Sequence, residues 1–241
     1  MISFTKDQIF IVTGASSGIG EGTALLLNEL GATVVGIARN AERLNAMKSK
    51  CKFPENMHVE IKDLADDINS LPQYIKELKN KYGKFTGLAY CAGICQVNPL
   101  QTLDYNEMKT LFDIDYFAPI FMAKGFADRR NNVGYGASMV FISSQATSIL
   151  EGGMVTYAGA KAALSASARV IASELLYSKV RVNCISPGNI DTSMSGNREL
   201  EKLYAFGFGK IEDASNLIVF LLSDKAKWIT KQDYILDCGH H

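Results

Sequence analysis

Residues 8–20 read QIFIVTGASSGIG, and this stretch decides the fold. Its first six residues are mostly apolar and β-branched, so they predict a buried strand. Gly14, Gly18 and Gly20 follow directly, and a helical pattern begins at residue 18. Glycines in such a turn let the backbone approach a phosphate, whose charge rests on N–H groups at the helix start. The stretch predicts a nucleotide-binding unit, although an ordinary glycine-containing turn would look similar.

The same strand–helix order continues along the whole chain. Strands are predicted at residues 8–13, 32–37, 57–61, 86–91, 137–143, 179–185 and 233–237. Helices are predicted at residues 18–30, 40–49, 67–81, 104–127, 155–177 and 212–223. This alternation is typical of a parallel sheet with helices on both faces. Because neither a linker nor a repeat interrupts it, residues 1–241 are expected to form one doubly wound (Rossmann) α/β domain of about seven strands.

Composition narrows the range of partners. The chain has 241 residues, 47% of them apolar, with 25 basic and 25 acidic side chains. The zero net charge gives no reason to expect nucleic acid or an anionic membrane as a partner. Neither a signal peptide nor a membrane-spanning run is recognisable, and the five cysteines are too sparse for a disulfide scaffold, so a cytoplasmic protein with free thiols is expected. Neither Cys91 with Cys95 nor Cys238 with His240 and His241 has a common zinc spacing, so no metal site is predicted.

Tyr157 and Lys161 suggest acid–base chemistry. Four residues apart on a helix, they lie on one face, and the ammonium group favours the phenolate, which lowers the pKa of the phenol. Such a phenol can exchange a proton with a carbonyl oxygen. Ser144 ends the fifth predicted strand, at the sheet edge where such folds bind ligands, with Ser143 and Gln145 as competing candidates. Taken alone, the tyrosine and lysine could be a plain contact on a helix surface.

Together these motifs resemble the short-chain dehydrogenase/reductase family, in its short single-domain branch. The resemblance rests on TGASSGIG (13–20), Asp63-Leu64, Ala92-Gly93, Ser143-Ser144, Tyr157 with Lys161, and PGNIDT (187–192), in order along nearly the whole chain. It implies hydride transfer between a nicotinamide cofactor and a ketone, an aldehyde or a secondary alcohol. Tyr157 would be the general acid/base, Ser144 would donate a hydrogen bond to the substrate oxygen, and Lys161 would also bind the nicotinamide ribose. The cofactor-binding residues implied are Gly14, Ser16, Ser17, Gly18, Ile19, Gly20, Arg39, Asp63, Leu64, Ala92, Gly93, Tyr157, Lys161, Pro187, Gly188, Ile190 and Thr192.

Arg39 favours NADP (NADPH) over NAD. NAD-preferring relatives usually carry an acidic residue near the end of the second strand, where this chain has Ala38 followed by Arg39. An arginine can pair with the 2′-phosphate of NADP, often through two hydrogen bonds. Ser17 stands where many NADP-dependent relatives have a second basic residue, and a solvated loop arginine is the alternative explanation.

Two positions depart from the family pattern. Asp115 stands where relatives usually have an asparagine, and Tyr90-Cys91 replace the amides of their NNAG motif. By resemblance Asp115 belongs to the catalytic group, through its backbone carbonyl or by pairing with Lys161. The departures also support a second hypothesis, a catalytically impaired nucleotide-binding regulatory or scaffold protein with the same fold.

The substrate and the oligomeric state are predicted less directly from the sequence. The segments 94–100, 145–154 and a lid at about 193–209 are expected around a largely apolar substrate pocket, whose wall residues would be Ile94, Ile149, Leu150, Met154, Met194, Tyr204 and Phe206. A medium-sized carbonyl compound is expected, and a 3-oxoacyl thioester would suit a carbonyl reductase of this family. Arg129-Arg130 would contact an acidic carrier protein or simply end a helix in solvent. Helices 104–127 and 155–177 are expected to form the interfaces of a homodimer or homotetramer.

Overall fold

Seven parallel strands form a single sheet in a computed structural model, which describes residues 1–195 and 198–240. The strands are β1 (Ile9–Thr13), β2 (Thr33–Ala38), β3 (Met57–Ile61), β4 (Phe85–Tyr90), β5 (Ser138–Ile142), β6 (Arg181–Pro187) and β7 (Asp233–Leu236). Their order is β3-β2-β1-β4-β5-β6-β7, so the direction of winding reverses between β1 and β4. The prediction of a doubly wound α/β fold is confirmed.

Eight α-helices connect these strands within the described residues. They are α1 (Gly18–Glu29), α2 (Ala41–Ser49), α3 (Leu71–Tyr82), α4 (Tyr105–Phe112), α5 (Ala118–Ala127), α6 (Ala146–Ile149), α7 (Val155–Glu174) and α8 (Ile211–Leu222). None of them combines the length and apolar composition that a bilayer crossing needs.

A separate hydrophobic core lies on each face of the sheet. Leu27 of α1, Leu44 of α2 and Ile218 of α8 pack on one face. Ile75 of α3, Phe126 of α5 and Leu164 of α7 pack on the other. Because the central strands are buried on both faces, they read in the sequence as continuous apolar runs, which explains why they are predictable.

The helix expected over residues 104–127 is interrupted. A π-helical turn at Asp113–Phe117 separates α4 from α5, and the Ala118 N–H donates to the Asp113 carbonyl five residues back. Pro119 has no N–H and cannot continue the α-helical hydrogen bonds. The π turn takes up one extra residue just before this proline, and Asp115 lies at the centre of the turn.

Candidate active site

A cleft of about 780 Å³ follows the carboxyl edge of the sheet at the reversal point. Parallel strands end at the same edge, so residues far apart in sequence meet there. Every residue proposed above for catalysis or cofactor binding lines this cleft, namely Gly14, Ser16, Ser17, Gly18, Ile19, Gly20, Arg39, Asp63, Leu64, Ala92, Gly93, Asp115, Ser144, Tyr157, Lys161, Pro187, Gly188, Ile190 and Thr192.

The glycine-rich turn is a close crossing of two backbones. Gly14 has φ +66°, and a Cβ there would lie 2.9 Å from the Ala92 nitrogen. A Cβ on Gly20 would collide with the Gly14 carbonyl oxygen. The Thr13 hydroxyl accepts hydrogen bonds from the N–H groups of Cys91 and Ala92, each 3.0 Å long. The crossing leaves an open cradle at the start of α1, and the first N–H groups of a helix can hold a phosphate because they have no partner within the helix.

Tyr157 and Lys161 lie on the cleft side of α7. The Lys161 Nζ is 5.7 Å from the centroid of the Tyr157 ring and donates a 3.0 Å hydrogen bond to the Ile142 carbonyl, at the end of β5. Lys161 is only 4% exposed. The ammonium is therefore fixed beside the phenol and shielded from water.

The pKa of Tyr157 differs from the expectation. Burial raises the pKa of this phenol, and the opposing effects of Lys161 and of a hydrogen bond with Ser144 do not outweigh the burial. The ammonium therefore acts in the expected direction, but the net shift in the protein alone is upward, which corrects the prediction of a lowered pKa. Periodicity could not reveal this, because it places two residues on one face without saying how deeply they are buried.

The two alternatives to Ser144 are engaged elsewhere. The buried Ser143 hydroxyl donates to the Lys161 backbone carbonyl at 3.1 Å. The Gln145 amide donates to Asp237 at 2.6 Å and to the His240 carbonyl. Ser144 is partly exposed in the cleft, accepts from the Ala146 N–H at 3.1 Å, and directs its own hydroxyl proton towards Tyr157. These contacts favour Ser144 as the hydroxyl that faces a substrate.

Asp115 is fully buried and pairs with Lys161. Its Oδ2 lies 3.2 Å from the Lys161 Nζ, and its Oδ1 accepts a 2.9 Å hydrogen bond from the Ile94 N–H. Burial raises the pKa of the Asp115 carboxyl against the opposing effect of Lys161. For Lys161, burial acts to lower the pKa, but Asp115 and Tyr157 more than compensate and the net shift is upward.

Basic side chains gather at the end of the cleft where adenosine is expected to bind. Arg39 is mostly exposed, with its guanidinium 3.5 Å from the Asp63 carboxylate. Arg43 and Lys62 line the same end, and the sequence reasoning missed both. Their signal was present, since Arg43 stands four residues after Arg39 and Lys62 directly precedes Asp63.

The expected wall of the substrate pocket is only partly correct. Ile94, Ile149, Met154, Met194 and Tyr204 line the cleft, whereas Leu150 and Phe206 are 69% and 80% exposed and lie outside it. Both are corrections, because a periodic pattern does not fix the direction of loop side chains. Cys95 and Glu151, which belong to the expected segments 94–100 and 145–154, also line this end.

The lid expected at about 193–209 is held at several points. Asn189 donates a 2.7 Å hydrogen bond to the Tyr204 hydroxyl, and His240 stacks on the Tyr204 ring with a centroid distance of 3.8 Å. Gly196 and Asn197 of this segment lie outside the described residues.

All five cysteines are free, and no cluster of three metal-ligating side chains occurs in residues 1–195 and 198–240. His241 lies outside the described residues.

Comparison with known proteins establishes the family. A family model described as enoyl-(acyl carrier protein) reductase matches residues 14–241. The chain is 27% identical to 3-oxoacyl-[acyl-carrier-protein] reductase FabG of Thermotoga maritima, over 97% of this chain and 98% of that one. It is 30% identical to 2,3-dihydro-2,3-dihydroxybenzoate dehydrogenase of Escherichia coli, over 95% and 94%. A short-chain dehydrogenase from Burkholderia cenocepacia in complex with NADP superimposes with a TM-score of 0.89, at 25% identity over 97% and 98% of the two chains.

These matches indicate an oxidoreductase that uses a nicotinamide dinucleotide. The chain belongs to the short-chain dehydrogenase/reductase family.

The glycine turn gives the first prediction. In Gly20→Ala the added methyl group meets the Gly14 carbonyl, so the turn must open. We expect affinity for NADPH to fall by at least about tenfold and the free energy of unfolding to drop by about 1–3 kcal/mol. Fluorescence titration and denaturant unfolding measure the two quantities. Gly152→Ala is the control, because the space around that α-carbon is open and both quantities should stay unchanged. Equal effects in both variants would contradict the proposed crowding.

Proposed function

We propose that the protein is an NADPH-dependent reductase of ketones or aldehydes, with Tyr157 as its general acid. The observation that carries this proposal is the meeting of three groups in one cleft with the glycine turn: the Tyr157 phenol, the Lys161 ammonium and the Ser144 hydroxyl. When bound, NADPH supplies the hydride that reduces the carbonyl carbon. The protein's own residues then have to hold the carbonyl oxygen and give it a proton.

Each of the three side chains has a separate task. The Ser144 hydroxyl donates a hydrogen bond to the carbonyl oxygen and stabilises the negative charge that develops there. Tyr157 transfers its phenolic proton to the same oxygen. The phenolate that remains is stabilised by Lys161, whose ammonium is held in place by the Ile142 carbonyl. In the reverse direction the phenolate accepts the proton of a secondary alcohol, so the same site oxidises alcohols when NADP is in excess.

Tyr157→Phe tests this assignment directly. The variant keeps the ring but cannot donate the proton, and general acid catalysis contributes about 10²–10⁴-fold in rate. We expect the rate of NADPH consumption to fall by at least about 100-fold while NADPH still binds. Tyr177→Phe removes the hydroxyl of a tyrosine that is almost fully exposed and should leave the rate unchanged. Retained turnover in Tyr157→Phe would remove Tyr157 from the mechanism.

The adenosine end supports NADPH as the preferred cofactor. Arg39, Arg43 and Lys62 bring three positive charges to the same end of the cleft, and the Asp63 carboxylate pairs with Arg39 there. The 2′-phosphate of NADPH would replace Asp63 as the partner of the Arg39 guanidinium. Asp63 would then accept from the adenine amino group, with Leu64 against the ring.

Reversing one charge tests the preference. In Arg39→Asp the new carboxylate repels the 2′-phosphate and can accept hydrogen bonds from a ribose diol. We expect the ratio of kcat/KM for NADPH to kcat/KM for NADH to fall by at least about tenfold. Arg130→Ala is the control, because Arg130 pairs locally with Asp128 at 2.6 Å, away from the cleft. Equal or better use of NADH by the unmodified protein would contradict the proposal.

The substrate end favours a medium-sized, partly apolar carbonyl compound. Ile149, Met154 and Met194 supply an apolar wall, and Glu151 is the acidic group at its rim. The similarity to 3-oxoacyl-[acyl-carrier-protein] reductase FabG supports a 3-oxoacyl thioester as one candidate. The bidentate pairing of Arg130 with Asp128 neutralises its charge locally, which favours a solvated helix end over a carrier-protein contact. In this proposal residues 193–209 form a lid of the same single domain.

A panel of ketones, aldehydes, keto sugars and 3-oxoacyl thioesters tests the function as a whole. Consumption of NADPH with at least one class, lost in Tyr157→Phe, is the expected result. Binding of NADPH without turnover across the whole panel would instead favour the regulatory or scaffold protein.

Assembly into a dimer or tetramer is part of the proposal. Helix α7 buries Ala160, Leu164 and Ala168 against the sheet, while Ala162 and Ala166 on another side are exposed in the single chain. Small side chains there let a second helix approach closely. In solution the mass should be that of a dimer or tetramer.

Ala166→Arg tests the interface. A long charged side chain on α7 blocks close helix packing, so we expect the protein to shift towards monomer at micromolar concentration in analytical ultracentrifugation. Asn80→Arg, on the exposed side of α3, should keep the assembly of the unmodified protein. A monomeric mass for the unmodified protein would refute the interface.

A further inference from the structure

Tyr90 is a buried phenol to which the proposed chemistry assigns no task. It ends β4, is 1% exposed, and donates a 2.8 Å hydrogen bond to the Ile114 backbone carbonyl. Burial raises the pKa of this phenol well above its ordinary value. Burial thus favours the neutral phenol, which is the form that donates this hydrogen bond.

The Ile114 carbonyl depends on a donor from outside its helix. In an α-helix it would accept from the N–H of Ala118, but that N–H donates to the Asp113 carbonyl in the π turn. The next residue, Pro119, has no N–H to offer. The Tyr90 hydroxyl thus satisfies a carbonyl that the proline and the π turn together leave without a helical partner, and an unsatisfied buried carbonyl is costly.

The residue after Ile114 is Asp115, the carboxylate that faces Lys161. The Ile94 N–H holds Oδ1 at 2.9 Å, and Oδ2 lies 3.2 Å from the Lys161 Nζ. This second oxygen makes the ion pair with Lys161, and the backbone that carries Asp115 sets where it lies. π turns commonly occur at functional sites, where they redirect a side chain.

We propose that Tyr90 is a positioning residue: by holding the Ile114 carbonyl it fixes the π turn that sets Asp115 beside Lys161, and Asp115 thereby determines the pH range in which Tyr157 exchanges its proton. The proposal deepens the proposed function and rests on it for the role of Tyr157. Tyr90 acts through the position of Asp115, and Asp115 acts through its charge near Tyr157, so neither needs contact with substrate.

The direction of the effect follows from the groups around the phenol. Four groups surround the Tyr157 phenol. They are Lys161 of the same helix, Ser144 just after β5, Asp115 of the π turn and Cys95 of the loop after β4. Lys161 also faces Cys184 of β6. Asp115 supplies the negative charge in this group, and a negative charge disfavours the phenolate. Removing it lowers the pKa of Tyr157, so the phenol loses its proton at lower pH.

Asp115→Asn is the principal test, since it removes the charge and keeps the shape. The phenolate absorbance of Tyr157 is titrated as the difference between each protein and the same protein carrying Tyr157→Phe. We expect the midpoint to fall by about one pH unit in Asp115→Asn. Carbonyl reduction requires the protonated phenol. The alkaline pH at which reductase activity is lost should therefore fall by the same amount.

Tyr90→Phe tests the positioning step. It keeps the ring in the core and removes only the donor, so Asp115 is held less firmly and the midpoint should fall by a smaller amount. In the Asp115→Asn background, Tyr90→Phe should cause no further shift, which a purely structural role would not produce. Tyr82→Phe is the matched control, because it removes a phenol that donates at 2.6 Å to Glu60, away from the cleft, and should leave the midpoint in place.

An unchanged midpoint in Asp115→Asn overturns the proposal. A Tyr90→Phe shift of equal size in the unmodified protein and in the Asp115→Asn variant also overturns the proposal. Saturating NADPH is added if Tyr90→Phe is unstable, and if it still does not fold the Asp115→Asn midpoint decides alone. The titration needs no turnover, so a protein that shows the shift but reduces no carbonyl compound contradicts the proposed function and leaves this inference standing.

Discussion

The structure around the cleft depends on the burial of one ammonium group. A charge withdrawn from water costs several kcal/mol unless partners replace the lost hydration. Lys161 finds them in the Ile142 carbonyl and the Asp115 carboxylate, and its own backbone carbonyl accepts from Ser143. These contacts fasten α7 to the end of β5. Ser144 is the second residue after that end, and Tyr157 precedes Lys161 by one helical turn. The contacts that bury the lysine therefore also bring both residues to the cleft.

The position of the cleft follows from the topology of the sheet. The winding reverses between β1 and β4, so the loops that leave these strands diverge and open a space above the sheet. The Thr13 hydroxyl joins the two strand ends through the N–H groups of Cys91 and Ala92. Only a glycine at position 14 allows the backbones to lie this close, so the shape of the cradle is determined by main chain more than by side chains.

Sequence patterns predicted the strands and helices that bury a whole face. They missed the features that depend on single contacts. The seven strands and most helices were found because doubly buried strands and amphipathic helices carry strong patterns. The π turn was missed because the LFDIDYFAPIF stretch continues the helical pattern through Pro119. The candidate site residues follow from strand ends and from resemblance. The Arg39–Asp63 contact and the packing of His240 on Tyr204, in contrast, join segments whose approach no local pattern encodes.

The departures from the family pattern at positions 90 and 115 fit one another. A carboxylate at position 115 would be costly beside an uncharged partner, but beside Lys161 it forms a buried pair with no net charge. The π turn that presents it leaves the Ile114 carbonyl without a helical donor, and the phenol at position 90 supplies that donor. An amide side chain at the end of β4 is shorter than tyrosine. To reach the same carbonyl it would have to span the distance that the tyrosine ring bridges. The two substitutions are thus parts of one arrangement around Lys161, and this is an argument for a working site and against a degraded one.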